Sequence, residues 1–282
     1  MVGLEWSCDE NKDLLKDHIE KLNKECPTSI GDILTINSAS YAKDLVEMEF
    51  IFNENYVSLS TFSSHKEEFK ELLEISLSKN NNILHQMVRA KAGFKGVISG
   101  GQSGMKTSIL ITLAELTDAL NKIFLMNDSK KTIALTVLST KMNLPLSVDK
   151  SSTLIDLSTS SEGVTYIYEI NDIEVGKNMN SNIFKSLMKN ITMSQIAQGL
   201  QRGQASTRNR QFYQALVNNN DGIIFKYYER NTRNETSFNI TSTEISDILT
   251  GKYQQNALST EEWYEFGNAL EELERIYGND SY

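Results

Sequence analysis

Ile111-Thr112-Leu113-Ala114-Glu115-Leu116-Thr117-Asp118-Ala119-Leu120 returns 129 residues later as Ile240-Thr241-Ser242-Thr243-Glu244-Ile245-Ser246-Asp247-Ile248-Leu249. In each stretch a Thr stands three residues before a Glu at the head of an apolar-periodic run. That is the capping box: the Thr oxygen accepts from an orphan helix amide and the Glu reaches back to the Thr amide. The match extends upstream. Gly93 aligns with Gly222, and the next 27 positions follow without a gap. Before each box lies a predicted hairpin, Phe94 to Ile111 turning at Gly100, Gly101 and Gly104, and Ile223 to Ile240 turning near Asn231 to Asn234.

A second block repeats at an offset of 118, which carries Pro27 onto Pro145. Val46, Met48, Phe50 and Phe52 alternate as a half-buried strand does, and Val164, Tyr166, Tyr168 and Ile170 repeat the alternation. Upstream, Leu15 and Ile19 meet Ile133 and Val137 at helical spacing. Phe69-Lys70 matches Phe184-Lys185 at an offset of 115, so the second copy is shorter by three residues there and longer by 14 before the hairpin. The added length falls in 192–210, read as an extended helical region or a surface loop. Blocks in the same order with matching local structure indicate a tandem duplication.

Each copy reads helix, strand, strand, helix, strand, strand, helix. In the first, the helix over Asp9 to Glu25 ends at Pro27. Strands follow near 32–38 and 45–52. The helical pattern over 65–90 is interrupted at Asn80-Asn81-Asn82, since Asn favours turns. A further helix over 260–277 follows Ser259 and Glu262. It is either a cap on an exposed face or the start of a truncated third unit. The expected fold is α+β: two tandem copies of a helix/two-hairpin/helix unit with antiparallel sheets, plus a C-terminal helix. The repeats span 9–127 and 128–255, with a helix and tail over 256–282.

The chain has 282 residues, 39% hydrophobic and 23% charged, which suits two domains with buried cores. A net charge of −9 disfavours nucleic acid and anionic membranes as partners. No segment has the length and apolarity of a transmembrane helix. The opening residues lack a basic and an apolar leader region. Cys8-Asp9-Glu10-Asn11 resembles the mature start of a bacterial lipoprotein, but Glu5-Trp6-Ser7 make a poor lipobox. The location is therefore cytoplasmic if Met1 is the true start, and cell envelope or periplasm-facing if a leader has been removed. Cys8 and Cys26 are the only cysteines. A straight helix holds them roughly 27 Å apart, beyond the ~7 Å reach of a disulfide.

Gly100-Gly101-Gln102-Ser103-Gly104-Met105-Lys106-Thr107 has the look of a phosphate loop, but Met105 separates Gly104 from Lys106 and the second copy has no glycine there. A hairpin turn accounts for it. His18, His65 and His85 stand at no metal-ligand spacing and have no histidine counterparts. Glu115 with Asp118 and Glu244 with Asp247 share a helix face, where capping and the helix N-terminus explain them. Lys185, Lys189, Arg202, Arg208 and Arg210 form a basic stretch, read as a solvated face. Tyr166, Tyr168, Tyr227 and Tyr228 line strands, as core or cross-strand packing requires. No catalytic, cofactor-binding or metal-binding residue is assigned, and no cofactor is expected.

Cys26-Pro27 with the strand pair after it, Leu144-Pro145-Leu146-Ser147-Val148, and Ile240-Thr241-x-x-Glu244-Ile245 resemble an uncharacterised group of tandem-repeat proteins of Bacteroidota, often lipoproteins. The resemblance implies a cell-envelope location and brings no site residues. The expectation is a non-enzymatic binding or protein-interaction module of a bacterial cell, its partner a protein rather than a small molecule. The alternatives are an enzyme with a site at the interface of the two repeats, or an acidic immunity or inhibitor protein. Function is expected where the copies differ: 192–210, the 99–106 loop and the final helix.

Overall fold

The computed structural model describes residues 8–30, 34–55, 59–62, 64–79, 83–148, 151–171, 179–201, 205–231 and 234–253. The expected 260–277 helix and the Asn80-Asn81-Asn82 break lie outside them. The chain divides into two compact units, Met1–Leu144 and Pro145–Tyr282. The fold is α+β, with one five-stranded sheet in each unit.

In the first unit, α1 (Cys8–Glu25) places Leu15, Ile19 and Leu22 on one buried face against the sheet. The strands are β1 (Thr28–Ile30), β2 (Leu34–Ala42) and β3 (Leu45–Phe52). Lys43 and Asp44, both with positive φ, make the two-residue turn between β2 and β3. Helices α2 (Lys66–Lys79) and α3 (Ile83–Arg89) then carry the chain across to β4 (Gly93–Gly100) and β5 (Lys106–Ile111). Strand order follows chain order. The pairings are antiparallel except β3 with β4, which is parallel. The helical crossover returns the chain to the same end of the sheet, and a parallel pair needs such a connection. Helix α4 (Leu113–Phe124) is opened by the Thr112 box: the Thr112 amide donates to Glu115 Oε2 at 2.7 Å, and the Glu115 amide to Thr112 Oγ1 at 3.4 Å.

Val46, Met48, Phe50 and Phe52 point into the core with Phe94 and Ile98, under Phe69, Leu72 and Leu73 of α2. Each buried Phe contributes roughly 2–3 kcal/mol of burial. Phe52 meets the Phe69 ring at 4.9 Å, which fixes α2 over the sheet.

The second unit repeats this plan through β6 (Leu146–Ser147), β7 (Ser152–Ser160), β8 (Gly163–Ile170), α6 (Asn182–Gly199), α7 (Ala205–Asn219), β9 (Gly222–Glu229), β10 (Glu235–Ile240) and α8 (Ser242–Leu249). The label α5 belongs to Asp128–Lys141, which precedes them. Even irregularities recur. A bulge falls between Ile36 and Ser38 and again between Leu154 and Asp156, 118 residues on. The parallel register Leu45↔Gly93 returns as Gly163↔Gly222. Residues 192–210 resolve into the end of α6 and the start of α7, with 202–204 outside the described residues. α6 has 18 residues where α2 has 14, and α7 has 15 where α3 has seven. The insertion thus lengthens two helices.

The alignment boundary at 128 and the packing boundary after Leu144 differ because of α5. It aligns with α1, yet it packs on α2, and Lys79 Nζ donates to Thr132 Oγ1 at 2.9 Å. Leu138 and Met142 join the first unit's core.

Candidate functional site

The glycine loop is organised by a carboxylate of the protein itself. Glu54 accepts from the Gln102 amide at 2.9 Å, the Ser103 amide at 2.6 Å and Ser103 Oγ at 2.8 Å. These donors hold the Glu54 carboxyl below its ordinary value. The amides a phosphate would need are already engaged. The second copy reaches the same end differently. Glu229 occupies the position of Gly100; it is fully buried, and its Oε1 accepts from the Asn231 amide and Nδ2, both at 2.9 Å. A Cβ at Gly100 would fall 2.6 Å from Glu54 Oε2. One carboxylate per turn fits, supplied from outside the hairpin in one copy and from within it in the other.

His18 is half-buried beside Asp17, Lys21 and Glu25 on α1, His85 is half-buried on α3, and His65 Nδ1 lies 3.8 Å from Glu68. The structure does not bring the three together. Among the described residues, no three His, Cys, Asp or Glu side chains are placed to share a metal ion. Cys26 is a free thiol, raised by burial; the Cys8 side chain lies outside the described set. Of the basic stretch, Lys189 pairs with Glu244 at 2.7 Å and Arg210 donates to the Leu249 carbonyl at 3.5 Å. Tyr166, Tyr168, Phe225, Tyr227 and Phe238 form a wall of stacked rings on one face of the second sheet, with neighbouring centroids 5.0 to 6.5 Å apart. Burial pushes the Tyr168 and Tyr213 phenols up to about 12, which keeps them neutral. Tyr228 faces away and donates to Glu169 at 3.0 Å.

The feature that sequence reading missed is a groove in the first unit, between α2, α4 and α5, of about 440 Å³. That lies within the usual range for ligand sites. Glu67, Glu68, Glu71 and Glu74 of α2 and Glu115 and Asp118 of α4 line it, against Lys70, Lys122 and Lys141. Its charge is therefore net acidic. Ile123 and Met126 line its α4 end, and between them Phe124 and Leu125 stand 85% and 80% exposed. Glu115 has two duties. It caps α4 and accepts from Lys70 Nζ at 2.5 Å, and these bonds pull its carboxyl down to about 2.

Glu74 is the unusual member. It is only 9% exposed, and among the described residues it has neither a hydrogen bond nor an ion pair. Burial pushes its carboxyl up to about 7; Lys70 and Lys122 oppose this, while Glu71 and Glu115 add to it. The second copy shows what is missing. At the offset of 115, Glu74 aligns with Lys189, the lysine that reaches the cap carboxylate Glu244. The first copy takes its cap lysine from one turn earlier, Lys70, and puts a carboxylate where the second has an ammonium. Among the described residues, the groove lining is carboxylates, ammonium groups and aliphatic side chains, with no Ser, Thr, Cys or His.

The sequence matches no protein-family model and no curated protein. Among solved structures, the type II secretion system pilotin of Vibrio vulnificus is similar at 14% identity and TM-score 0.30, over 38% of this chain and 93% of its own. The pilotin AspS of Vibrio cholerae is similar at 17% identity and TM-score 0.30, over 38% and 93%. A putative secreted protein of Pseudomonas aeruginosa follows at 12% identity and TM-score 0.29, over 38% and 96%. Likenesses this distant say nothing about what the chain binds.

Proposed function

We propose that the protein is a non-enzymatic interaction module whose first unit receives a basic segment of a partner protein in the α2–α4–α5 groove. The observation that carries this is the groove's unbalanced charge around Glu74, which is nine-tenths buried and has no hydrogen-bond or ion-pair partner among the described residues, with Ile123 and Met126 in the same lining. Charge complementarity selects a basic partner, and an apolar pair beside the charges supplies area that a small cation would leave unused.

The test is fluorescence anisotropy of the full chain with a labelled amphipathic lysine/leucine peptide and its glutamate/leucine counterpart. The expected result is binding of the lysine peptide alone, weakened by salt as exposed charge pairs are screened. Combined Glu67→Lys and Asp118→Lys should cost roughly tenfold or more in affinity. Equal binding of both peptides, or indifference to the charge reversals, would overturn the proposal.

A further inference from the structure

The geometry points to Glu74 as the receptor for a single lysine or arginine side chain of that basic partner, seated between α2 and α4. This rests on the basic-partner proposal and names the contact within it. Three observations carry it. Glu74 is nine-tenths buried, lines the groove and has no hydrogen-bond or ion-pair partner among the described residues. Lys70, one turn before it on α2, is held by Glu115 at 2.5 Å. And the second unit puts the Lys189 ammonium at the aligned position, 2.7 Å from Glu244, so a cation beside the cap carboxylate is an arrangement this architecture accepts. In the first unit Lys70 already serves the cap carboxylate Glu115, so the cation at Glu74 itself is the one supplied by the partner. A lysine or arginine entering there sets its ammonium or guanidinium fork on Glu74 with Glu115 beside it, and the aliphatic stem leaves along the groove past Ile123 and Met126.

The site carries its own pH dependence. From α2, Lys70 and Glu71 act on Glu74; from α4, Glu115 and Lys122 do so, with Asp118 in the same lining; α5 adds Lys141. Because burial holds the carboxyl near 7 in the empty groove, the ionised fraction falls about 30-fold between about pH 8 and about pH 5.5. Affinity for a cation should fall by about the same factor.

The test uses the full chain labelled with ¹³C-glutamate and observed by NMR, with Nα-acetyl-lysine amide and Nα-acetyl-arginine amide as probes and Nα-acetyl-norleucine amide as the neutral control. The expected result is that the cationic probes lower the Glu74 titration midpoint while norleucine leaves it alone. This reading needs no variant. In the anisotropy assay, Glu74→Gln should weaken the lysine peptide at least tenfold at about pH 8 and erase its pH dependence. Glu74→Lys, which installs the second unit's residue, should abolish binding while the chain stays folded. If the lysine peptide binds wild type and Glu74→Gln equally, the Glu74 receptor is overturned and the groove proposal stands. If neither peptide nor probes bind, both fall. If calcium or magnesium moves the Glu74 midpoint more than the organic cations do, the site is a metal site and the inference is overturned.

Discussion

Replacing Glu74 by Gln should stabilise the first unit at alkaline pH and leave it unchanged at acid pH. The carboxyl titrates near 7 in the folded chain against an ordinary 4.5. A raised folded value means that the folded state holds the proton more tightly than the unfolded one. The stability this gives is fully present below about 4.5 and is lost as pH rises through about 7. Taken whole, the interval is equivalent to about 3 kcal/mol. The groove is open to solvent on one side, so water relaxation reduces this to about 1–2 kcal/mol. Glutamine keeps the shape and removes the charge. The variant should therefore exceed wild type by about 1–2 kcal/mol at about pH 8 and match it at about pH 4.5. The assay is urea unfolding at both pH values, with hydrogen exchange over 66–79 to isolate the first unit. A stability difference that is the same at both pH values would refute the reasoning, and so would a variant less stable than wild type at about pH 8.

Other consequences are local. Thr112→Ala and Thr241→Ala should each cost about 1 kcal/mol, because each removes one half of a capping box; chemical denaturation of the two variants measures it. Glu115, held down to about 2 by Lys70 and the Thr112 donors, contributes stability present above 4.5 and lost as pH falls towards 2. Exchange over 113–124 should accordingly rise only in that acid window. Gly163 has φ +128°, and a Cβ there would lie 2.0 Å from the Gly222 carbonyl oxygen. Gly163→Ala should therefore cost about 3 kcal/mol or more, seen as loss of protection in β8 and β9. Glu54→Gln weakens the acceptor for the Gln102 and Ser103 amides, so those two amides should exchange faster while β4 and β5 stay protected.

What could be read from the residues was local. The two capping boxes are hydrogen bonds within four residues, and both form with the expected partners. The strand alternation at Val46, Met48, Phe50 and Phe52 was equally plain, because it needs only a sheet with one covered face. The parallel β3–β4 pairing is a different matter. It depends on which end of the sheet α2 and α3 return to, and no short stretch encodes that. The packing of helix α5 is set beyond its own sequence for a related reason. Its Ile133 and Val137 copy the spacing of Leu15 and Ile19, but its Thr132 and Leu138 commit it to α2.

The groove was hidden by ordinary appearances. Lys70-x-x-x-Glu74 has the spacing of a common helical ion pair, yet Lys70 turns across to Glu115 on another helix and leaves Glu74 without an ion-pair partner among the described residues. One signal was present. Continuing the offset of 115 from Phe69 carries Glu74 onto Lys189, a reversal of charge at a core-facing helix position. The loops and the insertion are the conspicuous differences between the copies, whereas this one sits inside a well-matched helix.

The most direct test of the central claim is a backbone-amide shift map of the full chain titrated with the lysine/leucine peptide. The account predicts that shifts concentrate in 67–74 of α2 and 115–126 of α4 and leave the second unit's aligned segment, 182–190, unmoved. Shifts spread over both units, or centred on 182–190, would contradict it.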